Sequence, residues 1–242
     1  MTILKLRELK HSLTHLFYPH LCEGCSKPLL INEKVLCIGC SLEIPETPYH
    51  AIENNETALR FAGRVPFVSA TSYAYFTNDG LLQHLVHGLK YKNKKETGYY
   101  LGQKFATSLL STAYQREEAN WASSIDMIIP VPLHKKKQAK RGYNQSMLIA
   151  EGMSKVLNIP ATEKLLIRAR DTESQTHKTR AERVNNMAEA FQVTDNTQLT
   201  GKHILLCDDV LTTGATMEAC ALALMNVKDI KISICTIGIA IS

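Results

Sequence analysis

The sequence predicts an α/β protein built on a parallel sheet with helices on both faces, preceded by a small cysteine-rich module. Short apolar runs alternate with helical segments along residues 68–239, and one run ends in two acids followed by a loop of small residues. Strands that alternate with helices form parallel sheets, and these bind ligands beyond the carboxyl ends of their strands. Two closely spaced pairs of cysteines near the N-terminus predict the module.

The composition is that of a globular protein. The chain has 242 residues, of which 45% are hydrophobic and 21% charged, and its net charge is +5. This apolar content argues against disorder, and the mild excess of base permits anionic ligands such as phosphates or nucleic acid without requiring them. The chain contains neither an apolar run long enough to span a membrane nor a secretory signal, so a cytoplasmic protein is expected.

Two domains are expected, 1–58 and 59–242. Apolar residues within Met1–Phe17 recur at helical spacing, which predicts an amphipathic helix that packs on its own domain or lies on a membrane surface. Residues 45–64 are polar, with two prolines, and are interpreted as a linker. Apolar periodicity then predicts strands at 68–76, 125–131, 165–168, 190–193, 203–207 and 230–239, and helices at 81–89, 97–116, 144–157 and 215–226.

The cysteine pairs have the spacing of a metal site. Cys22 and Cys25 form one CxxC pair, and Cys37 and Cys40 form the other. Each pair can aim two thiolates at one ion, and four thiolates complete the tetrahedral shell that suits Zn²⁺ in a structural role. An iron–sulfur cluster remains the alternative. The other cysteines lie in apolar segments and are expected to be inert core thiols; they are Cys207, Cys220 and Cys235.

The segment 203–217, HILLCDDVLTTGATM, carries the most chemical information. An apolar strand delivers Asp208 and Asp209, and a loop of small residues then opens a helix; the loop is Thr212, Thr213, Gly214, Ala215 and Thr216. Backbone amides around a glycine, a helix start and threonine hydroxyls together bind phosphate well. Two carboxylates beside such a site suit the hydroxyls of a ribose, and both are expected to be exposed.

This segment resembles the motif with which type I phosphoribosyltransferases bind phosphoribosyl pyrophosphate (PRPP). The resemblance implies a Rossmann-type sheet, with Asp208 and Asp209 holding the ribose 2′ and 3′ hydroxyls and Thr212–Thr216 holding the 5′-phosphate. It also implies Mg²⁺, bound with PRPP and held largely by ligand oxygens. The sequence lacks a GxGxxG fingerprint and a P-loop lysine, which weakens other nucleotide-binding interpretations.

Three further segments resemble the ComF/GntX family of competence-associated proteins: LVHGLKY at 85–91, DMIIPVPLHKKKQAKRGYNQS at 126–146, and 170–191. The resemblance implies that a loop after the second strand cradles pyrophosphate through Arg141 and Gly142, and that Gly142 opens a helix capped by Asn144. It assigns catalysis to Arg141, Asp208 and Asp209, and a mobile cover to Arg180 and Arg183. The lysines at 135–137 either contact phosphate or form a solvated face.

Three functions remain open. A ComF-type protein would bind PRPP and support DNA uptake by handling single-stranded DNA with the competence machinery. A true phosphoribosyltransferase would transfer the ribosyl phosphate to an unknown nitrogen nucleophile. A regulatory module would sense PRPP without turnover. Thr212 stands where purine phosphoribosyltransferases place an acid, which argues against purine salvage.

Overall fold

The computed structural model describes residues 20–116, 121–169 and 190–241. The chain forms two compact units, Met1–Ile44 and Pro45–Ser242. The helix expected within Met1–Phe17 lies outside the described residues. Among the described residues, no helix combines the length and the apolarity that a membrane crossing requires.

The first unit is organised around its cysteines. Its helix α1, Ile38–Leu42, begins directly after Cys37, whose sulfur accepts a hydrogen bond from the Cys40 amide and so caps the helix. Leu29, Val35 and Leu36 are buried with Cys22 and Cys40. Within residues 20–44, the few buried side chains supply little folding free energy, which makes a bound ion the natural source of stability for this segment.

The second unit contains the predicted parallel sheet. Its strands in chain order are β1 (Ala70–Phe76), β2 (Met127–Pro130), β3 (Leu166–Arg168), β4 (Phe191–Val193), β5 (His203–Leu211) and β6 (Lys231–Ala240). The main sheet has the order β1-β6-β5-β2 and all its pairs are parallel. β3 and β4 form a separate antiparallel pair. The central strands are buried on both faces, as their continuous apolar sequences predict.

Helices cover both faces of this sheet, as predicted. They are α2 (Glu56–Phe61), α3 (Leu81–Tyr91), α4 (Lys95–Arg116), α5 (Lys135–Arg141), α6 (Gln145–Leu157) and α7 (Ala215–Leu224), with short 3₁₀ helices at Tyr49–Ala51 and Trp121–Ser124. Successive residues of β5 face opposite sides. Ile204 and Leu206 lie in the core that includes Cys220 of α7, whereas the Cys207 sulfur lies 3.9 Å from that of Met153 in α6.

Helices α4 and α6 cross with their backbones in contact. A Cβ atom on Gly152 would lie 2.1 Å from the carbonyl oxygen of Tyr99, and one on Gly102 would lie 2.1 Å from that of Ile149. No real Cβ approaches an oxygen so closely, so both positions require glycine. This crossing fixes α6 along its length, and the amino end of α6 points to the carboxyl end of β5.

The expectation of a linker at 45–64 is wrong. The Tyr75 amide donates to the Pro45 carbonyl at 2.9 Å, so the start of this segment covers the edge of β1. Asn55 is buried and caps α2, and Phe61 is fully buried in the core. The sequence misleads here because the few apolar residues of the segment occupy a single short helix. Residues 45–58 lie in the second compact unit, and the assignment of 1–58 as one folding domain stays a prediction.

The basic segment after β2 also differs from expectation. Residues 135–141 form helix α5 instead of a loop. Gly142 adopts φ 81° and ends this helix, whereas the sequence predicts that it opens one. The next helix, α6, begins at Gln145, and the Asn144 side chain caps it, as predicted.

Candidate functional site

The four cysteines of the first unit converge on one point. The sulfurs of Cys22, Cys25, Cys37 and Cys40 all lie within 4.8 Å of one another, and those of Cys25 and Cys37 are 3.7 Å apart. A tetrahedral ion with metal–sulfur distances of about 2.3 Å separates its sulfurs by roughly 3.8 Å. The cluster therefore has the dimensions of a four-thiolate metal site.

Backbone hydrogen bonds favour a thiolate at Cys22, whereas burial opposes thiolates in this cluster unless a cation neutralises them. The Cys22 sulfur accepts amide hydrogens from Gly24 at 3.4 Å and from Cys37 at 3.2 Å. Burial raises the pKa of Cys22, but these and other backbone hydrogen bonds outweigh it and lower the pKa to about 7. Burial and the neighbouring cysteines raise the pKa of Cys40 well above its usual range. Four thiolates therefore coexist here only with a positive ion between them.

A cavity at the carboxyl end of β5 unites the predicted phosphate loop with one of the two acids. It has a volume of about 50 Å³ and lies at the amino end of α7. Its lining includes Asp208, Thr236 and all five loop residues, Thr212–Thr216. The structure thus brings Asp208 and the loop residues together around one cavity.

Gly214 shapes the mouth of helix α7. It directly precedes the helix and has φ 77°. A side chain has no room at this position, because a Cβ atom would lie 3.1 Å from the Phe61 ring and 3.3 Å from Leu211. Only glycine adopts this conformation without strain. The helix that follows has no intrahelical acceptors for its first amide hydrogens, and such a helix start attracts anions.

Two arginines that the sequence analysis missed hold this loop from outside the cavity. Arg60 of α2 donates to the carbonyl oxygens of Thr212 at 2.6 Å and of Ala240 at 2.5 Å. Arg64 donates to the Thr213 carbonyl at 3.0 Å and forms an ion pair with Glu218 of α7. Both arginines lie in the segment interpreted as a linker, and their i, i+4 spacing gave no signal of a partner some 150 positions away.

Asp208 is half-buried and linked to helix α6. Its Oδ1 accepts a hydrogen bond from the Ser146 hydroxyl at 2.7 Å and one from the Asp209 amide at 2.8 Å. Burial, followed by the negative charge of Asp209, raises the pKa of Asp208 to about 7. Asp208 therefore changes charge near neutrality, at the wall of the loop cavity.

Asp209 has a different environment, and the expectation that it is exposed is wrong. Its accessible fraction is 4%, and both carboxylate oxygens lie 2.9 Å from the ammonium of Lys90 in α3. The two acids are neighbours in the chain, but side chains in a strand alternate between faces, so they meet different partners. Lys90 belongs to the LVHGLKY segment, which thereby becomes part of the site.

The expected pyrophosphate segment lies on the other side of Ser146. Arg141 donates to the Gln145 side chain and stands 5.8 Å from the centre of the Tyr91 ring. Asn144 donates to the Val131 carbonyl at 3.1 Å, so the amino end of α6 is tied to the end of β2. Arg141 is therefore linked to Asp208 through the consecutive residues Gln145 and Ser146, whereas Gly142 donates to the Gln138 carbonyl. Arg180 and Arg183, the predicted cover, lie outside the described residues.

A parallel sheet with a phosphate loop and an acid pair at the end of one strand defines the phosphoribosyltransferase class. Residues 144–239 match the model of the phosphoribosyl transferase domain. A solved structure described as that of the allosteric regulatory enzyme of purine biosynthesis aligns with a TM-score of 0.35 at 18% identity, covering 57% of this chain and 25% of that one.

Relatives define the family more narrowly. Competence protein F of Haemophilus influenzae is 25% identical over 89% of this chain and 96% of its own. The DNA utilization protein YhgH of Escherichia coli K12 is 26% identical over 86% of this chain and 92% of its own. Competence protein ComFC of Bacillus subtilis is 35% identical over 41% of this chain and 38% of its own. With its four-cysteine cluster and these relatives, the chain is similar to the ComF/GntX proteins, as the sequence predicted.

Proposed function

We propose that this protein is a ComF-type PRPP-binding protein that supports DNA uptake through the handling of single-stranded DNA in the cytoplasm. The observation that carries the PRPP part is the cavity that Thr212–Thr216 share with Asp208 at the start of α7. Small residues, a helix start and threonine hydroxyls there suit a phosphate. Asp208 suits a hydroxyl of the ribose that carries this phosphate.

Charge around the cavity supports the same ligand. The Lys90 ammonium pairs with the buried Asp209 side chain, and Arg141 with the lysines of α5 brings positive charge to the side where a pyrophosphate would extend. PRPP carries its charge at both ends of the ribose, so it matches a loop on one side and cations on the other. Asp208 and Asp209 hold the ribose between them in this proposal, with Asp209 remaining in contact with Lys90.

Two metals belong to the proposal. The four sulfurs hold Zn²⁺ in a structural role, because the protein fills all four positions of a tetrahedral shell. Mg²⁺ arrives with PRPP and neutralises pyrophosphate oxygens. Zinc is preferred over an iron–sulfur cluster on spacing, and the absorption spectrum of the purified protein distinguishes the two.

The link to DNA is supported by the names of the relatives, competence protein F, ComFC and DNA utilization protein YhgH. Isothermal titration with PRPP and magnesium, followed by titration with single-stranded DNA, tests both ligands on the same sample. We expect saturable binding of each. No heat and no thermal stabilisation by PRPP would refute the first part, and no DNA binding at low salt would refute the second.

Transfer of the ribosyl phosphate is a second candidate, favoured by Asp208. A carboxyl group with a pKa of about 7 can accept a proton from a nitrogen nucleophile as that nitrogen attacks the anomeric carbon and pyrophosphate leaves. Pyrophosphate release in the presence of PRPP and a panel of bases and amines tests this. PRPP binding without any release would favour a sensing module instead.

A further inference from the structure

The surface beside the proposed PRPP site combines an exposed aromatic ring with a dense set of cations. Tyr91, the last residue of α3, is 69% exposed. Helix α5 consists of KKKQAKR, and the turn that follows Tyr91 reads KNKK. We call this the Tyr91 surface: Tyr91, Lys92 and Lys95, together with Lys135, Lys137, Lys140 and Arg141.

Three contacts join the two segments into one surface. The Arg141 guanidinium lies 5.8 Å from the centre of the Tyr91 ring, and the Lys95 ammonium lies 5.0 Å from that of Tyr143. The Tyr143 hydroxyl donates to the Leu89 carbonyl. The turn after α3 is thus held against the end of α5, and the charges of both segments lie around the Tyr91 ring.

The charge on this surface is almost all of one sign. Residues 135–141 contain five cations and no acid, and residues 91–96 contain three lysines and Glu96. The lysines of the Tyr91 surface are all exposed. Such a density of positive charge repels itself and is neutralised best by a polyanion. A polyphosphate backbone releases bound counterions as it binds, which favours nucleic acid as the partner.

The exposed ring of Tyr91 favours single-stranded over double-stranded DNA as the partner. A base stacks on an aromatic side chain only if the face of the base is free. Bases have free faces in single strands. Tyr91 is backed on one side by the His87 ring, whose centre lies 4.8 Å away, so the phenol is held while most of its area remains accessible. Proteins that bind single strands without sequence preference use this combination of stacking and cationic contacts.

We infer that the Tyr91 surface binds single-stranded DNA, with a base stacked on Tyr91 and the backbone phosphates on the lysines of α5. This inference rests on the proposed handling of single-stranded DNA and assigns it to this surface. The site stands next to Arg141, so a bound strand lies beside the pyrophosphate end of the proposed PRPP site.

The test compares two kinds of variants of the full chain, with fluorescein-labelled oligo(dT) as the probe and anisotropy as the readout. Tyr91→Ala removes the ring, and Tyr91→Phe keeps it. The triple variant Lys135→Gln, Lys137→Gln, Lys140→Gln removes three charges, and Lys164→Gln, Lys228→Gln, Lys231→Gln removes three exposed charges elsewhere. Melting temperature and zinc content establish that each variant is folded.

We expect Tyr91→Ala to weaken oligo(dT) binding about five- to hundredfold without changing its salt dependence, while Tyr91→Phe binds like the wild type. The α5 triple variant should lower the slope of log K against log salt by about 0.7 for each phosphate that the removed lysines neutralise in the wild type. The control triple variant should keep the slope. On a duplex of equal length, Tyr91→Ala should have no effect.

Two results would overturn the inference, and they differ in what else they refute. If the wild type binds oligo(dT) and both the Tyr91 and the α5 variants bind equally well, the surface is misassigned while the proposed function stands. If the folded wild type does not bind oligo(dT) at low salt, the proposed handling of single-stranded DNA fails, and the inference fails with it.

Discussion

The guanidinium of Arg60 is hydrogen-bonded to the backbone carbonyl of Thr212, the first residue of the phosphate loop. The same guanidinium contacts Ala240 at the end of β6 and Glu56 in its own helix. Carbonyls held from outside the loop leave the neighbouring amides free to turn toward the cavity. Arg60 thus positions the loop amides that bind phosphate in the proposed function.

Replacing Arg60 should therefore weaken PRPP binding from a distance. We expect Arg60→Ala to lower PRPP affinity about tenfold, because hydrogen bonds from a charged donor are worth about 1.5–3 kcal/mol and several acceptors lose theirs. Calorimetric titration measures this. Glu56→Gln is the matched control, since it removes the ion pair but leaves the guanidinium, and it should stay within about threefold of the wild type. A folded Arg60→Ala protein with wild-type affinity would contradict the positioning role.

Single substitutions of Asp208 and Asp209 should have different effects on PRPP affinity and on the free energy of unfolding. Asp208→Asn should lower PRPP affinity about ten- to hundredfold without lowering the free energy of unfolding, because the asparagine still accepts from Ser146. Asp209→Asn removes the carboxylate that pairs with Lys90, and the free energy of unfolding should fall by about 1–3 kcal/mol. Urea denaturation and calorimetry measure both quantities. The assignment is wrong if Asp208→Asn is the less stable of the two.

Asp208 should also leave a signature in the dependence of stability on pH. Its pKa is raised from 3.8 to about 7 by burial and by Asp209, against the opposing effects of Ser146 and Lys90. Between these two values the folded protein binds more protons than the unfolded chain, so Asp208 stabilises at low pH and this contribution is lost as pH rises toward 7 and beyond.

The measurement is urea denaturation of the wild type and of Asp208→Asn at pH 5 and pH 8. The free energy of unfolding of the wild type, taken relative to the variant, should be lower at pH 8 than at pH 5. His50 and His203, whose pKa values burial lowers, are present in both proteins and cancel in this comparison. A difference that stays constant between the two pH values would argue that Asp208 is not perturbed.

The cysteine cluster can be tested apart from the sheet. Cys22→Ser with Cys25→Ser should abolish the proposed zinc binding at this cluster and leave PRPP binding intact, because the proposed PRPP-site residues named above lie in the second unit. Cys235→Ala, in the core, should do the reverse: zinc is retained and the melting temperature of the sheet falls. Loss of PRPP binding in a folded double-serine variant would speak against two independent domains.

Sequence reasoning found the parts of the site that lie next to each other in the chain. The loop from Thr212 to Thr216 and the acid before it are local patterns, and the structure brings them into one cavity. Alternating apolar strands and helices predicted the parallel sheet for the same reason. The cysteine pairs needed only their spacing to predict that they converge.

The contacts made over long sequence distances could not be predicted. Nothing in the residues around Arg60 indicates that it faces Thr212, because the pairing exists only once the sheet brings both ends of the chain together. The prediction that Gly142 opens a helix is wrong because a glycine beside a basic run fits either a phosphate loop or a helix end. The burial of Asp209 gives no local signal because its partner Lys90 lies in a different helix.

The contact between α4 and α6 fixes the position of α6, whose residue Ser146 contacts Asp208 at the proposed ribose site. Gly152 lies two turns of helix from Ser146, whose hydroxyl contacts Asp208. A single methyl group added at the crossing would lift α6 as a rigid rod and withdraw that hydroxyl. Inherited substitutions of the glycines at this helix crossing would thus abolish the proposed PRPP binding, although every residue of the proposed site is unchanged.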